Sequence, residues 1–332
     1  MHGRLTGYVC LVTGASRGLG KGFAIALGRA GAIVYITGRT FDSSNNTDSL
    51  RETARIIEEN GGKAIPVAVD HTDDNQVAGL FARIRREQSG RLDVLVNNAH
   101  SGTEYMLHEL SAESVYWEPS TKFRNPGEEW DLLNRVGLRN SYTCCVLATR
   151  MMVECRSGNA SSVEQRKMEK HPTGLIVNVS SDAGSWRVFN VAFCAGKSAL
   201  DRMSMEMARD LSKRGVDISV ISLLPGVVRT ETVVSAIESG DVPSFLKKAI
   251  ALNLATLAEQ PSRLLRRYSG RTLFLADLAS QFRITKPDGT YPRSIRSLKT
   301  IAQLAGWKRL AHLIPAFIQL PRWVLALLIS KF

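Results

Sequence analysis

Short runs of aliphatic and β-branched residues alternate with longer stretches of helical period over residues 1–276. The runs at 8–13, 33–37, 64–69, 93–96, 174–179, 217–223 and 271–276 are mostly near-continuous apolar segments. A strand covered on both faces has no solvent side to mark with polar residues, so these read as strands of a parallel sheet. Between them, amphipathic patterns predict helices at 18–30, 50–60, 74–88, 128–155, 189–214 and 245–258. Such alternation predicts an α/β fold: a Rossmann-type, doubly wound parallel sheet inside a three-layer αβα sandwich. The polar stretch 157–172 interrupts the rhythm between a helix and the next strand. It is expected as a mobile surface loop at the strand-start end of the sheet, opposite the usual ligand crevice.

Charge divides the chain in two. Of 43 Lys and Arg, 13 lie in residues 261–332, with only 2 of the 31 Asp and Glu. That end therefore carries +11 of the +12 total, and the first 260 residues are nearly neutral at +1. A globally basic protein is excluded, and no nucleic-acid partner is expected of a neutral body without a recognised module. We read 1–276 as one dinucleotide-binding and catalytic domain and 277–332 as a basic, apolar C-terminal extension.

Five cysteines (Cys10, Cys144, Cys145, Cys155, Cys194) show no C-x-x-C spacing, which fits a reducing compartment better than zinc or a disulfide framework. His71, His100, His108 and His171 lack metal-ligand spacing, so no metal is expected and these histidines are assigned to the surface or loops. No secretory h-region precedes the apolar run at Tyr8, and the chain is expected not to be secreted. A Ser/His/Asp hydrolase is disfavoured by the absence of a G-x-S-x-G elbow.

The first chemical signal is Thr13-Gly14-Ala15-Ser16-Arg17-Gly18-Leu19-Gly20, which follows the first strand and opens the first helix. Glycines there allow a tight turn and close backbone approach to a pyrophosphate, with the helix N-terminus facing the phosphates. About 20 residues on, a dinucleotide fold places an acid for a ribose 2′-hydroxyl or an Arg for a 2′-phosphate. Here the second strand ends Thr37-Gly38-Arg39, with no acid before Asp42. Arg39 together with Arg17 argues for NADP(H) over NAD(H).

This turn resembles that of the short-chain dehydrogenase/reductase family. Asp70, Asn97-Asn98-Ala99, Ser180-Ser181, Lys197, Pro225-Gly226 and Thr230 follow in the family's order over residues 5–276. The resemblance implies hydride transfer between a nicotinamide and a carbonyl or alcohol carbon. It assigns Gly14, Ser16, Arg17, Gly18, Leu19, Gly20, Arg39, Asp70, Asn98, Lys197, Pro225, Gly226, Val228 and Thr230 to the cofactor. Ser181 would bind the substrate oxygen and Lys197 the nicotinamide ribose. The family's proton-transferring Tyr falls on Phe193, whose ring can neither donate nor accept a proton. Gly137 stands at the family's helix Asn, with Asn134 one turn away, and His100 replaces the Gly that usually follows Asn-Asn-Ala. Two readings stay open: an oxidoreductase with impaired proton transfer, and an NADP(H)-binding pseudoenzyme or scaffold. The family also implies a small lipophilic carbonyl substrate, steroid-like or another small ketone, under a lid at 231–245. Tyr105, Met106 and Trp186 are candidate pocket residues.

From Gly289 onward there are seven Lys and Arg and no acid, interleaved with apolar runs at 310–320 and 323–329. Pro315, Pro321 and Arg322 disfavour a membrane span. A basic segment rich in Trp, Phe and Leu predicts an interfacial anchor on an anionic surface. The alternative is packing on its own fold or on a second copy in a homo-oligomer. The expected location is the cytosolic face of an intracellular membrane, with the endoplasmic reticulum as candidate.

Overall fold

The structure, a computed structural model, describes residues 5–42, 48–109, 115–118, 123, 125–157, 174–185, 190–226, 262–284, 294, 296–304, 306–315, 318–321 and 324. Seven strands form one sheet: β1 (Val9–Val12), β2 (Ile33–Gly38), β3 (Lys63–Ala68), β4 (Val94–Asn97), β5 (Gly174–Val179), β6 (Ile218–Leu224) and β7 (Thr272–Phe274). Their order is β3-β2-β1-β4-β5-β6-β7 and every neighbouring pair is parallel. The strand runs lie close to their predicted places. The last differs, because Leu275 already begins a helix.

Successive strand residues face opposite sides, and both sides are covered. Cys10, Val12, Val34 and Ile36 pack toward α1 (Gly18–Arg29), α2 (Leu50–Glu59), α8 (Ser262–Tyr268) and α9 (Leu275–Gln281). Val9, Leu11 and Tyr35 pack toward α3 (Asp74–Glu87), α6 (Ser141–Ser157) and α7 (Val191–Lys213). This two-sided burial is why the strands read as unbroken apolar runs. The helix predicted at 245–258 and the loop from residue 158 onward lie outside the described residues.

Local chemistry sets the helix starts. Ser49 caps α2 by accepting from Glu52 N (3.1 Å), Asp73 caps α3, and Asn190 caps α7 by accepting from Phe193 N (2.9 Å). In α7 the buried residues Phe193, Gly196, Leu200, Ser204, Ala208 and Leu211 repeat every three or four positions, one face laid on the sheet.

The single helix expected over 128–155 is three pieces. α5 (Pro126–Asn134) passes into a π-helical segment (Arg135–Asn140) before α6 begins, and α4 (Thr103–Glu109) lies upstream. Amphipathic period does not reveal the wider turn, whose buried residues are Val136, Gly137 and Asn140.

The extension contributes α10 (Leu298–Leu304) and α11 (Lys308–Leu313). Arg296 ties it to α9, donating to Asp277 (2.7 Å), as does Gln319 (3.0 Å), and holds the extension together by donating to the Leu320 carbonyl (2.9 Å). Asp277 lies within α9, so the division drawn after residue 276 passes through a helix. Among the described residues, no helix is long and apolar enough to cross a membrane.

Candidate active site

The chain order reverses between β1 and β4, and an open α/β sheet forms its ligand crevice beyond the strand ends at such a point. Here the turn after β1 meets the segment after β4. Gly14 has φ +65°, and a Cβ on it would stand 2.7 Å from Ala99 Cα. A Cβ on Gly20, in the first turn of α1, would overlap the Gly14 carbonyl and Asn98 Nδ2. Asn98 Nδ2 donates to the carbonyls of Thr13 (3.0 Å) and Gly14 (2.9 Å), and Thr13 Oγ1 accepts from the amides of Asn98 and Ala99, both at 3.0 Å. Backbone is thus drawn together where only glycine fits, leaving a helix N-terminus open to an anion. Gly18 and Leu19 begin that helix, with Ser16 on the turn beside Gly38.

At the end of β2, Arg39 is exposed. Asp42, the first acid beyond it, is held by a bidentate pairing with Arg51, which keeps its carboxyl below the usual range. Asp70 accepts from Thr72 N (2.9 Å) and Thr72 Oγ1 (2.8 Å). The backbone bond does most to hold its carboxyl low, against partial burial, and the Arg39 charge adds to it. Arg17 extends from the turn to Glu104 on α4, 3.3 Å away and largely in solvent.

The end expected to do chemistry is built by β5, β6 and α7. Side chains from the strand ends form a buried polar chain. Asn97 Nδ2 donates to Asn178 Oδ1 (2.8 Å), Asn178 Nδ2 to Ser204 Oγ (2.8 Å), and Ser222 Oγ to Ser204 Oγ (3.0 Å). This fixes α7 against the sheet and with it Lys197, whose Nζ donates to the Val179 carbonyl (2.9 Å). Burial lowers the Lys197 ammonium to about 8, with Asp201 opposing. Ser181 caps a short 3-10 turn (Asp182–Gly184), its Oγ accepting from Ala183 N (3.3 Å), and Ser198 Oγ donates to the Gly184 carbonyl (2.8 Å).

Phe193 is buried in a small apolar cluster with Tyr105, Met106, Leu133 and Ala183, its ring centroid 5.5 Å from Lys197 Nζ. Tyr105 and Met106 are buried in that cluster beside Phe193. Asn134 Nδ2 donates to the Ala192 carbonyl (3.0 Å), tying α5 to α7. Pro225 and Gly226 close β6, whereas Val228, Thr230, Trp186 and the lid at 231–245 lie outside the described residues.

Two histidines lie on connecting segments, as expected, but are turned inward rather than to the surface. His71 is 5% exposed: Thr37 Oγ1 lies 2.7 Å from its Nε2, and Asn140 Oδ1 lies 3.3 Å from its Nδ1. The His100 ring meets Phe193 edge-on with centroids 5.5 Å apart, and its Nε2 is buried. Polarity concealed the first, since a hydrogen-bonded histidine can be as buried as a leucine. The second was marked only by its departure from the family pattern.

The family model for short chain dehydrogenases matches residues 8–239. Dehydrogenase/reductase SDR family member 1 of Mus musculus is 37% identical over 343 residues, covering 99% of each chain. The Homo sapiens protein of that name is 35% identical over 351 residues, covering all of both. A solved chain from Beutenbergia cavernae, with NADP at low occupancy, shares the fold at TM-score 0.58 and 22% identity, over 82% of this chain and 96% of its own. With the glycine turn, the seven-stranded order and the ends of β5 and α7 in place, this chain belongs to the short-chain dehydrogenase/reductase family.

Proposed function

We propose that the protein is an oxidoreductase that interconverts a lipophilic carbonyl, steroid-like or another small ketone, with its alcohol, and prefers NADP(H). The observation carrying the preference is the end of β2. The nearest acid in sequence, Asp42, is engaged by Arg51, and the strand end presents the exposed cation Arg39. A 2′-phosphate is favoured by that arrangement and a 2′-hydroxyl is not. The Gly14/Gly20 cradle fits a pyrophosphate, which Ser16, Arg17, Gly18 and Leu19 would help hold. Asp70 would lie toward the adenine, Asn98 would brace the turn, and Pro225, Gly226, Val228 and Thr230 would approach the nicotinamide. A bound nicotinamide would supply or accept the hydride. Lys197 would bind its ribose, and Ser181 would bind the substrate oxygen. Arg39→Ala is expected to weaken NADPH about 10-fold or more, the worth of a charge-assisted hydrogen bond, and to leave NADH unchanged. Fluorescence titration with both cofactors decides, and equal weakening of the two refutes the preference.

A second reading, an NADP(H)-binding pseudoenzyme or scaffold, is favoured by Phe193, a phenyl ring where a hydroxyl would move the proton. NADPH binding without turnover on a carbonyl panel, with turnover appearing in Phe193→Tyr, would establish it.

We also propose that the extension rests on the cytosolic face of an intracellular membrane. Trp307 (62% exposed), Leu310 and Leu313 (80% exposed) present apolar surface on or beside α11, with Arg309 exposed among them. Cations and apolar side chains together suit an anionic bilayer. Replacing Trp307, Leu310 and Leu313 with Glu should release the protein from phosphatidylserine vesicles in a flotation assay. Unchanged flotation would refute the contact.

A further inference from the structure

His71 sits in the loop between β3 and α3, and its buried ring joins two distant segments. Asn140 Oδ1, which also accepts from the Cys144 thiol (3.5 Å), lies 3.3 Å from Nδ1, so Nδ1 carries the proton. Nε2 then holds a lone pair and accepts from the Thr37 hydroxyl (2.7 Å). Burial holds the imidazole below its ordinary value, against the Asn140 bond and the Asp70 charge, so the ring is neutral at pH 7. Each nitrogen has a partner of the right sense.

These partners belong to opposite ends of the site. Thr37 stands two residues before Arg39, and its carbonyl accepts from Ala15 N in the glycine turn (2.8 Å). The Gly38 carbonyl accepts from Val69 N (3.0 Å), one residue before Asp70. Asn140 ends the π-helical segment, which follows Asn134 and its bond to α7. Two more contacts fasten the loop to that segment: Arg135 donates to the Thr72 carbonyl (3.3 Å) and Arg139 to Asp74 (2.7 Å). Both involve exposed side chains, and exposed pairs are worth little. The His71 bonds are buried, where losing one leaves a polar partner unmet at greater cost. Of these contacts, the imidazole is the one that sets where the loop sits against the end of β2. Arg39 and Asp70, close enough for the arginine charge to help hold the carboxyl low, lie on the two segments it joins.

We propose that His71 is a positioning residue for the adenosine 2′-phosphate end of the cofactor. Its ring bridges Thr37 and Asn140 and thereby fixes the spacing of Arg39 and Asp70, so that the guanidinium meets the phosphate while the carboxylate stays toward the adenine. Neither nitrogen is offered to the ligand; the ring acts through the segments it holds. The inference rests on the NADP(H) reading above. A guanidinium–phosphate contact is strong only in the right geometry, which is what a buried bridge supplies.

The test is calorimetric titration of the full chain at pH 7 with adenosine 2′,5′-bisphosphate and, separately, adenosine 5′-monophosphate. His71→Asn puts an amide N–H near the place of Nδ1, keeping the Asn140 bond and leaving Thr37 unmet. It should weaken the bisphosphate about 10-fold, as expected for a buried partner left unsatisfied, and the monophosphate less than about twofold. His71→Gln, whose amide oxygen reaches the place of Nε2, keeps the Thr37 bond and should bind the bisphosphate within about threefold of the unaltered protein. Thr37→Val removes the same bond from the other side, so it should reproduce the split, and it carries the test if His71→Asn does not fold. Equal weakening of both nucleotides, or no weakening of either, would overturn the positioning role while leaving the NADP(H) reading in place. An unaltered protein that binds the bisphosphate no more tightly than the monophosphate would overturn the reading itself, and the role with it.

Discussion

The glycine turn after β1 and the pocket between β5 and α7 stand at the same edge of the sheet and have been treated in opposite ways. At the turn, every polar atom of Thr13 and Asn98 described above meets backbone, and a Cβ at Gly14 or Gly20 has nowhere to go. The family pattern survives there because backbone against backbone admits no substitute. Around Phe193 the contacts are side chain against side chain, and three of the family's positions differ: Phe193, Gly137 and His100. Such a pocket can be refilled while volume is conserved. The result is a rigid nucleotide cradle joined to a rebuilt chemical end.

Restoring the hydroxyl should give the largest effect. Phe193→Tyr is expected to raise ketone turnover by about 10²–10⁴-fold, the usual worth of a positioned general acid, with NADPH affinity unchanged. Lys197 Nζ, 5.5 Å from the present ring, would favour the phenolate and bring the new hydroxyl nearer neutral pH. Steady-state kinetics on both proteins decide it. If turnover does not rise, the region around Phe193 has been remodelled beyond repair by one oxygen.

The next largest effect belongs to the glycine turn. Gly20→Ala should cost about 3 kcal/mol, because the added methyl overlaps the Gly14 carbonyl, which is backbone, and the Asn98 side-chain amide, which is pinned by its bonds to the Thr13 and Gly14 carbonyls. Urea denaturation gives the cost, and a matching loss of NADPH affinity should accompany it. A variant as stable as the parent would show that the turn is looser than its contacts imply.

The two ends also differed in how far the sequence revealed them. The strand runs and the glycine turn were readable because each rests on contiguous residues: unbroken apolar stretches for a sheet buried on both faces, and glycines at fixed offsets for the cradle. The π-helical segment was not, since residues 128–155 keep an acceptable helical period across it. The burial of His71 on its loop is not legible, because its partners, Thr37 and Asn140, lie 34 and 69 positions away. His100 and Gly137 were each visible as departures from the family pattern, and only the fold shows that one makes room for the other. A gain of bulk at one position and a loss of bulk at another is the signal that could have joined them.

The smallest expected effect separates the two ends by pH. Lys197 titrates at about 8 in the folded chain because burial disfavours its charge, and in the unfolded chain nearer its ordinary value of 10.5. Between those values the unfolded chain holds more protons, so this residue's contribution makes folding more favourable as pH rises through the window. Below about pH 8 both states are charged, and the cost of burying the ammonium is borne in full. The melting temperature of wild type minus that of Lys197→Met should therefore climb between pH 8 and 10.5 and be flat from pH 6 to 7. Cofactor binding should run the other way, because a ribose held by the ammonium loses its donor charge as Lys197 deprotonates. A variant at the turn has no titrating group there to remove and should keep the wild-type pH slope, so a difference curve that climbs for Lys197→Met but not for Gly20→Ala assigns the titration to the rebuilt end. A flat curve for both would mean that solvent reaches Lys197 and that the pocket around Phe193 is more open than its packing indicates.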